Sequence, residues 1–357
     1  MSPIDLERQV RAIRLGATLS EMEHVACLRV GGEDAFDALD ALCPADLFVR
    51  DGQMLHTLLL REDGQVLCDL YLCNDDEELI LLAEGLPAPE LAEHLRAHLP
   101  GDLSPTLTDP SQTHALLSLN GPYAWEVMAG LAGPEVVGLP YLTFFHDRDW
   151  TCFRAGKTGE FGYDLLLRRE QVAEVKGQIL EIGSRMELEI VEAGLEALDH
   201  CALENWFFNI RREGRAGLTP VELQLQWRVS YHKDYPGSSA LRGRRLRPEG
   251  RVTTVVSPQP LATGAPVTYQ GQAVGKLINC GQSPIRGDWL GLALLDLPHA
   301  HAGLSGYLAQ VDGRQAPLCT VAPPLINNRS LFIDLQQHSW STRQQDEFPP
   351  LSPLEVG

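Results

Sequence analysis

Apolar residues follow two rhythms along this chain, and each change of rhythm marks a new element. Residues 27–30 look like a short strand, Gly31 and Gly32 break it, and Ala35, Phe36, Leu39 and Leu42 follow at three-and-four spacing. That succession predicts a strand leading into a helix. Residues 56–61 and 65–72 are apolar and extended, and Asp63 and Gly64 between them form a turn in which glycine adopts a positive φ, so the pair reads as a hairpin. A polar connection at 74–78 precedes a strand at 79–83. Leu91, Leu95 and Leu99 make a helical stripe that Pro100 interrupts.

A similar succession starts at 115–119. Asn120, Gly121 and Pro122 can open a helix whose Ala124, Val127 and Met128 offer an apolar face. Residues 164–167 are extended again. Val172, Val175, Ile179 and Ile182 mark one helix, and 192–206 contains another. The recurrence of strand, helix and hairpin suggests two related packing units. From about 246 onward short strands dominate, at 251–256, 266–269, 273–280 and 291–295, with Gly264, Gly271, Gly281 and Gly287 as punctuation, which describes a compact β-rich module. After Phe332 the chain turns to Gln, Ser and Pro and reads as a peripheral tail.

Composition narrows the function. At 357 residues the chain exceeds one ordinary domain, and 44% hydrophobic with 22% charged residues is a globular mixture. A formal charge of -19 repels a phosphate backbone unless a local basic face overcomes it. The segment Arg242, Arg244, Arg245 and Arg247 is the one such face, and without aromatic partners it reads better as a linker or domain contact. No nucleic-acid partner is expected. The charged start at 1–14 lacks the apolar core of a secretory signal, and runs such as 79–83 are too short to cross a bilayer, so the expectation is a cytoplasmic protein with no membrane partner. The eight cysteines read as separate buried thiols; Cys68 and Cys73 lack the companions of a zinc site, and no metal is expected.

Two acidic residues stand out. Strand alternation places Asp69 on one face with Leu67, Tyr71 and Cys73, and Val66, Cys68, Leu70 and Leu72 on the other. A carboxylate there needs donors or a cation, and either a structural acceptor or a reactive group meets that requirement. Gly156, Lys157 and Thr158 look like the end of a phosphate loop, but Thr151 stands where its first glycine belongs. The alternative is a polar turn built on Gly156, Gly159 and Gly162, with Glu160 facing solvent or a ligand with paired nitrogen donors. Trp227 reads as a packing residue unless Pro220 and Glu222 define a ligand wall beside it. No glycine-flanked nucleophilic serine, zinc-protease helix or dinucleotide fingerprint is present.

Taken in order, 64–70, 120–122, 156–162, 194–204, 219–227 and 234–241 make the chain resemble the glycine-cleavage T-protein (aminomethyltransferase) family and its folate-dependent demethylase relatives, over about residues 25–295. The resemblance implies an α+β, three-domain, cloverleaf-like fold around a central channel, ending in a small β-barrel. On that reading 1–110 is a first α/β domain with a split contribution allowed, 111–245 a second, 246–332 the barrel and 333–357 the tail. It implies tetrahydrofolate as cofactor, Asp69 as the catalytic aspartate, Glu160 as the residue that recognises the pterin end, Trp227 as a ligand-facing wall, and Glu84, Asn120, Phe153 and Leu198 as channel positions. The sequence departs from the family at Cys68, the first of two usual consecutive acids, at Glu84, usually asparagine, and at Leu198 and Ala202, where basic residues are usual. Leucine and alanine cannot replace arginine's hydrogen-bonding fork, which weakens recognition of a polyglutamate tail. Residues 233–237 resemble the transferase and demethylase branches, whereas a shortened entry segment argues against the lipoyl substrate. The implied activity is transfer of a methyl, methylene or aminomethyl unit from a small amine or methylated metabolite. A folate-independent small-molecule enzyme and a non-catalytic folate-binding or partner-binding protein are the alternatives.

Overall fold

Period-two alternation has its consequence in two sheets packed face to face. The computed structural model describes residues 3–76 and 78–353. One sheet runs Met54–Leu60, Val66–Asp75, Glu78–Glu84, Val25–Gly31 and Thr106–Thr108, every neighbour antiparallel. The other runs Ile190–Glu192, Ala17–Glu21, His114–Asn120, Gly162–Arg168, Trp150–Phe153 and Phe144–Asp147. Its first pair is parallel and the others are antiparallel.

Each sheet buries one face under helices and the other against its partner. In the first, Leu28, Val30, Cys68, Leu70, Leu72 and Leu81 pack beneath the helices Ala35–Leu42 and Ala88–His98. In the second, Leu117, Leu119, Leu165 and Leu167 pack beneath Ala124–Ala132 and Val172–Arg185. Between the sheets, Tyr71, Cys73, Ile80 and Leu82 meet Leu116, Phe144, Phe153 and Leu166. The order is helices, sheet, sheet, helices. Asp69 shares the alternation of Tyr71 and Cys73, so it projects into this middle layer.

The barrel closes as Gly250–Ser257, Trp289–Asp296, Gln272–Gln282, Pro266–Tyr269, Tyr307–Val311 and Arg314–Val321, the last strand pairing with the first. Val255, Val267, Leu277, Ala293, Leu295 and Leu318 fill one side of its wall. Val252, Leu290 and Leu292 point outward and join Leu58, Leu60 and Val66 of the first sheet.

Several elements go beyond the sequence expectations. The last two barrel strands flank Asp312 and Gly313, both at positive φ, the hairpin dipeptide that tolerates this backbone. The strand Ala17–Glu21, near the beginning of the chain, belongs to the second sheet. The arginine-rich segment is a helix, Ser238–Leu246, instead of a linker; Arg242 engages Asp234 and two carbonyls, Arg244 engages Glu222 and Glu249, and Arg245 lies over Tyr231. Three of its four guanidiniums are therefore committed within the chain. Beyond 332, Ile333, Leu335 and Trp340 lie against the second sheet's helical core. Residues 354–357 of the expected tail and residue 77 of the 74–78 connection lie outside the described residues. No described helix is long and apolar enough to cross a membrane.

Distant segments meet at Arg14, on the helix Pro3–Leu15. Its guanidinium is fully buried and donates to Glu204 Oε2 at 2.7 Å, the Thr158 carbonyl at 2.5 Å, Asn328 Oδ1 at 3.1 Å and Glu160 Oε1 at 3.3 Å. One side chain thus ties the first helix, the 154–161 loop, the helix Leu195–Asn205 and the segment after the barrel. Removing it strands two buried carboxylates, a loss of about 3–5 kcal/mol for a buried pair. Arg14→Met is expected to lower the urea unfolding free energy by that order, and a loss below about 1 kcal/mol would show that the knot does not carry the assembly.

Candidate functional site

Where the middle layer stops being apolar it becomes a cavity. Alternation carries Asp69, Glu84, Ser118, Asn120 and Asp164 onto the facing sides of the two sheets, and all five line it. Asp69 and Glu84 are direct partners on adjacent strands.

Asp69 is buried and has three cationic or donor neighbours. Lys157 Nζ donates to its Oδ2 at 2.5 Å, Arg228 Nη1 to its Oδ1 at 2.8 Å, and His56 Nε2 stands 2.9 Å from Oδ1. Burial alone pushes the carboxyl up, but Lys157, His56 and Arg228 together hold it well below the usual carboxylate range. His56 is lowered too, but chiefly by burial and to about 4, so at neutral pH it is uncharged and its Nε2–H donates to Asp69.

The charges continue from Asp69. Lys157 Nζ also donates to Glu84 Oε1 at 2.6 Å, Arg211 Nη1 donates to Glu84 Oε2, and Arg211 Nη2 reaches Asp199 Oδ1 at 2.5 Å. Arg212 and Asn209 complete the coordination of Asp199. A chain of alternating charge therefore runs along the cavity wall. The opposite wall carries Asp164, which accepts from Ser118 Oγ at 2.5 Å, with Asn120 Nδ2 donating to the same hydroxyl at 2.8 Å. Among the described residues no cation bonds to Asp164, and burial lifts it to about 7.

Of the residues singled out in the sequence, Asp69, Glu84, Asn120 and Leu198 line the cavity, and so does Ala202. Leu198 and Ala202 give this part of the lining apolar surface. Phe153 lies in the apolar layer beside the cavity, against Phe144, and does not line it. Two further placements differ from the expectation. Glu160 faces neither solvent nor the cavity: Arg14, the amides of Arg329 and Ser330 and the Ser330 hydroxyl occupy its oxygens. Trp227 is 69% exposed, in a separate groove with Tyr141, Trp206 and Arg251, and carries the Arg228 guanidinium 4.7 Å from its ring centre. His56 lines both spaces, so the Asp69 cluster forms the partition between cavity and groove.

The sequence reading gave no site role to Asp164, Arg211, His56 or Arg228, and it named Lys157 only within the run 156–158, which lines the cavity. Asp164 carried a signal, an acid in the apolar run 163–167, the same anomaly that marked Asp69. Nothing in the sequence paired the cations with Asp69 or Glu84, since loops bring each of Lys157, Arg211 and Arg228 to a strand distant in sequence.

Residues 4–233 match the GCVT N-terminal domain. The chain is similar to the aminomethyltransferase of Bacillus velezensis, at 28% identity over 312 residues covering 84% of each. It is similar to that of Thermotoga neapolitana at 25% over 295 residues, 80% of each. Its fold is similar to the crystal structure of glycine cleavage system aminomethyltransferase T from Bartonella henselae, with a TM-score of 0.81 and 22% identity over 92% of this chain and 91% of that one.

The buried groups give the cavity a proton signature. His56 falls from 6.5 to about 4 on folding, so the unfolded chain binds the extra proton and the stability His56 contributes, present above 6.5, is lost as pH falls towards 4. Asp164 rises from 3.8 to about 7, so its contribution, present below 3.8, is lost as pH rises towards 7. Each group changes the folding equilibrium by up to about tenfold per pH unit within its window. In urea titrations at pH 4.5 and 6.5, His56→Gln is expected to shrink the gain in stability on going to the higher pH, and Asp164→Asn to enlarge it. Shifts of the same sign in both variants would contradict the assignment.

Proposed function

The chain belongs to the aminomethyltransferase family defined by the GCVT N-terminal domain, and from that premise we propose that it is a tetrahydrofolate-dependent one-carbon transferase acting on a small amine or methylated metabolite. The observation that carries this reading is the cavity between the sheets, with ionised Asp69 on one wall and cation-free Asp164 on the other.

The residues fit the ring end of a reduced folate. A pterin edge presents adjacent N–H donors, and Asp164 offers them a buried carboxyl whose other partner is one hydroxyl. Asn120 and Thr158 lie beside it. The fit is poorer for a polyglutamate tail, because Leu198 and Ala202 supply no donors and Arg211 is already shared by Glu84 and Asp199. That observation favours, as a second reading, a small-molecule enzyme that keeps the fold without folate.

When bound, tetrahydrofolate would supply the nitrogen that takes up or gives the one-carbon unit. The chain's own contribution centres on Asp69. A carboxylate held well below its usual range is a weak base, so Asp69 serves the reaction by stabilising positive charge on a nearby nitrogen and orienting it, more than by removing a proton. The apolar floor excludes water and strengthens that interaction.

Calorimetry is expected to give saturable heat with mono-glutamylated tetrahydrofolate, and Asp164→Asn to weaken binding about tenfold, since the amide sets a donor against one of the ring's N–H groups and a buried donor left unsatisfied costs about 1–3 kcal/mol. No saturable heat with a folded protein would overturn the folate reading. A screen of N-methyl, O-methyl, S-methyl and aminomethyl donors, with mass analysis of donor and folate products, identifies the substrate class. Donor turnover without folate product would favour the second reading.

Asp69→Asn is expected to lower turnover by roughly a hundredfold or more while changing folate affinity little. Because Asp69 also neutralises Lys157 and Arg228, unfolding free energy has to be measured on the same preparation. Near-normal transfer by a folded variant would remove Asp69 from the reaction.

A further inference from the structure

We propose that Lys157 is a positioning residue, a clamp that joins Asp69 to Glu84 and thereby fixes where the reaction carboxylate points and that it acts as an anion. The proposal rests on the role given above to Asp69. It starts from a conflict in the first sheet. Asp69 and Glu84 are directly opposite each other on neighbouring strands, and both face the middle layer. Like charges in that position repel, and in a buried site two carboxylates sharing one space drive a proton onto one of them.

The relief comes from the other sheet. Lys157 sits in the turn before the strand Gly162–Arg168, and its ammonium reaches one oxygen of each carboxylate, at 2.5 and 2.6 Å. The turn is braced. Gly156 and Gly159 have positive φ, and a Cβ on Gly159 would come within 2.8 Å of Asn205 and Asn328. The next residue, Thr158, gives its carbonyl to Arg14 and Asn205, and its hydroxyl donates to Asn120. A side chain on so fixed a base can hold a carboxylate in one orientation, which a freely moving surface lysine does not do.

Glu84 is part of the device. It gives Lys157 a second anchor and is itself held by Arg211. The groups that bear on the charge of Asp69 are therefore His56 and Arg228 in contact with it, Lys157 and Glu84 across the clamp, and His24, Arg211, Asp164, Asp199 and Tyr71 around the same cavity. Of these, Lys157 alone touches both carboxylates. His56 and Arg228 meet Asp69 on Oδ1, while Lys157 holds Oδ2, so loss of the lysine frees the oxygen beside Glu84.

The test compares Lys157→Met with the double variant Lys157→Met/Glu84→Gln, which removes the cation and the competing carboxylate together. In the single variant the carboxylates are left to share a proton, so the acid limb of kcat is expected to move up by about 1–3 pH units, with the Kd for tetrahydrofolate changed by less than about threefold. In the double variant the limb is expected to return towards that of the natural protein. A merely structural lysine predicts that both variants lose stability while the limb stays in place, and that result would overturn the proposal.

A second readout needs no turnover. His56 donates to Asp69, so its ring resonances report the carboxylate's protonation. In the single variant they are expected to show two steps, the ring's own and a second between about pH 4 and 7, above the usual carboxylate value of about 4, and in the double variant the ring's own step alone. If no protein transfers a one-carbon unit, the proposed function fails, and the presence or absence of that step still decides the role of Lys157. A folded Lys157→Met protein whose His56 resonances titrate as in the natural protein would refute it.

Discussion

Carboxylates can be kept ionised between two apolar sheets only if cations are buried with them, and the arrangement of this molecule follows from that requirement. An isolated charge in such a layer costs several kcal/mol, more than one domain's margin can absorb repeatedly. Asp69 is compensated from the second sheet's loop by Lys157 and from the turn Gln226–Arg228 by Arg228. Neither cation comes from its own hairpin. The site therefore exists only when both sheets and the segment leading to the barrel are assembled.

A second buried knot supports the first. Arg14 neutralises Glu160 and Glu204 and holds the Thr158 carbonyl, and the residue beside Thr158 is Lys157. Glu160, the carboxylate that the family resemblance turned towards a ligand, thus acts one step removed, by fixing the loop that carries the clamp and by holding the amides of Arg329 and Ser330 after the barrel. The two knots share a loop and differ in access. Arg14 is sealed, whereas the Asp69 cluster opens on a cavity at one side and on the Trp227 groove at the other.

Of the four positions expected from the sequence to depart from the family pattern, Glu84, Leu198 and Ala202 line this cavity and Cys68 does not. Glu84 brings a charge to the lining, and Lys157 and Arg211 answer it. Leu198 and Ala202 give the same lining apolar surface. The cavity wall therefore combines compensated carboxylates with an apolar stretch, and on the proposed folate reading only Asp164 is left to meet the ring end.

Most of the secondary structure was legible in the sequence, because burial of one face writes a period of two or of three to four into the chain. The hairpin around Gly64, the helices at 35–42 and 172–185 and the first four barrel strands followed from those periods, and Asp69 was visible as an acid inside an apolar run. The family resemblance supplied the α+β architecture and its closing barrel. The same alternation contained Asp164, whereas the ligand role given to Glu160 came from the family resemblance and not from the pattern. The strand Ile190–Glu192, three residues long, is too short for a periodic signal and forms at the sheet edge where Ala17–Glu21 offers it a partner. Which cation meets which carboxylate was decided by tertiary structure alone: Lys157 is 88 residues from Asp69 and Arg228 is 159, and no local pattern encodes a contact between segments that meet only when the sheets pack together.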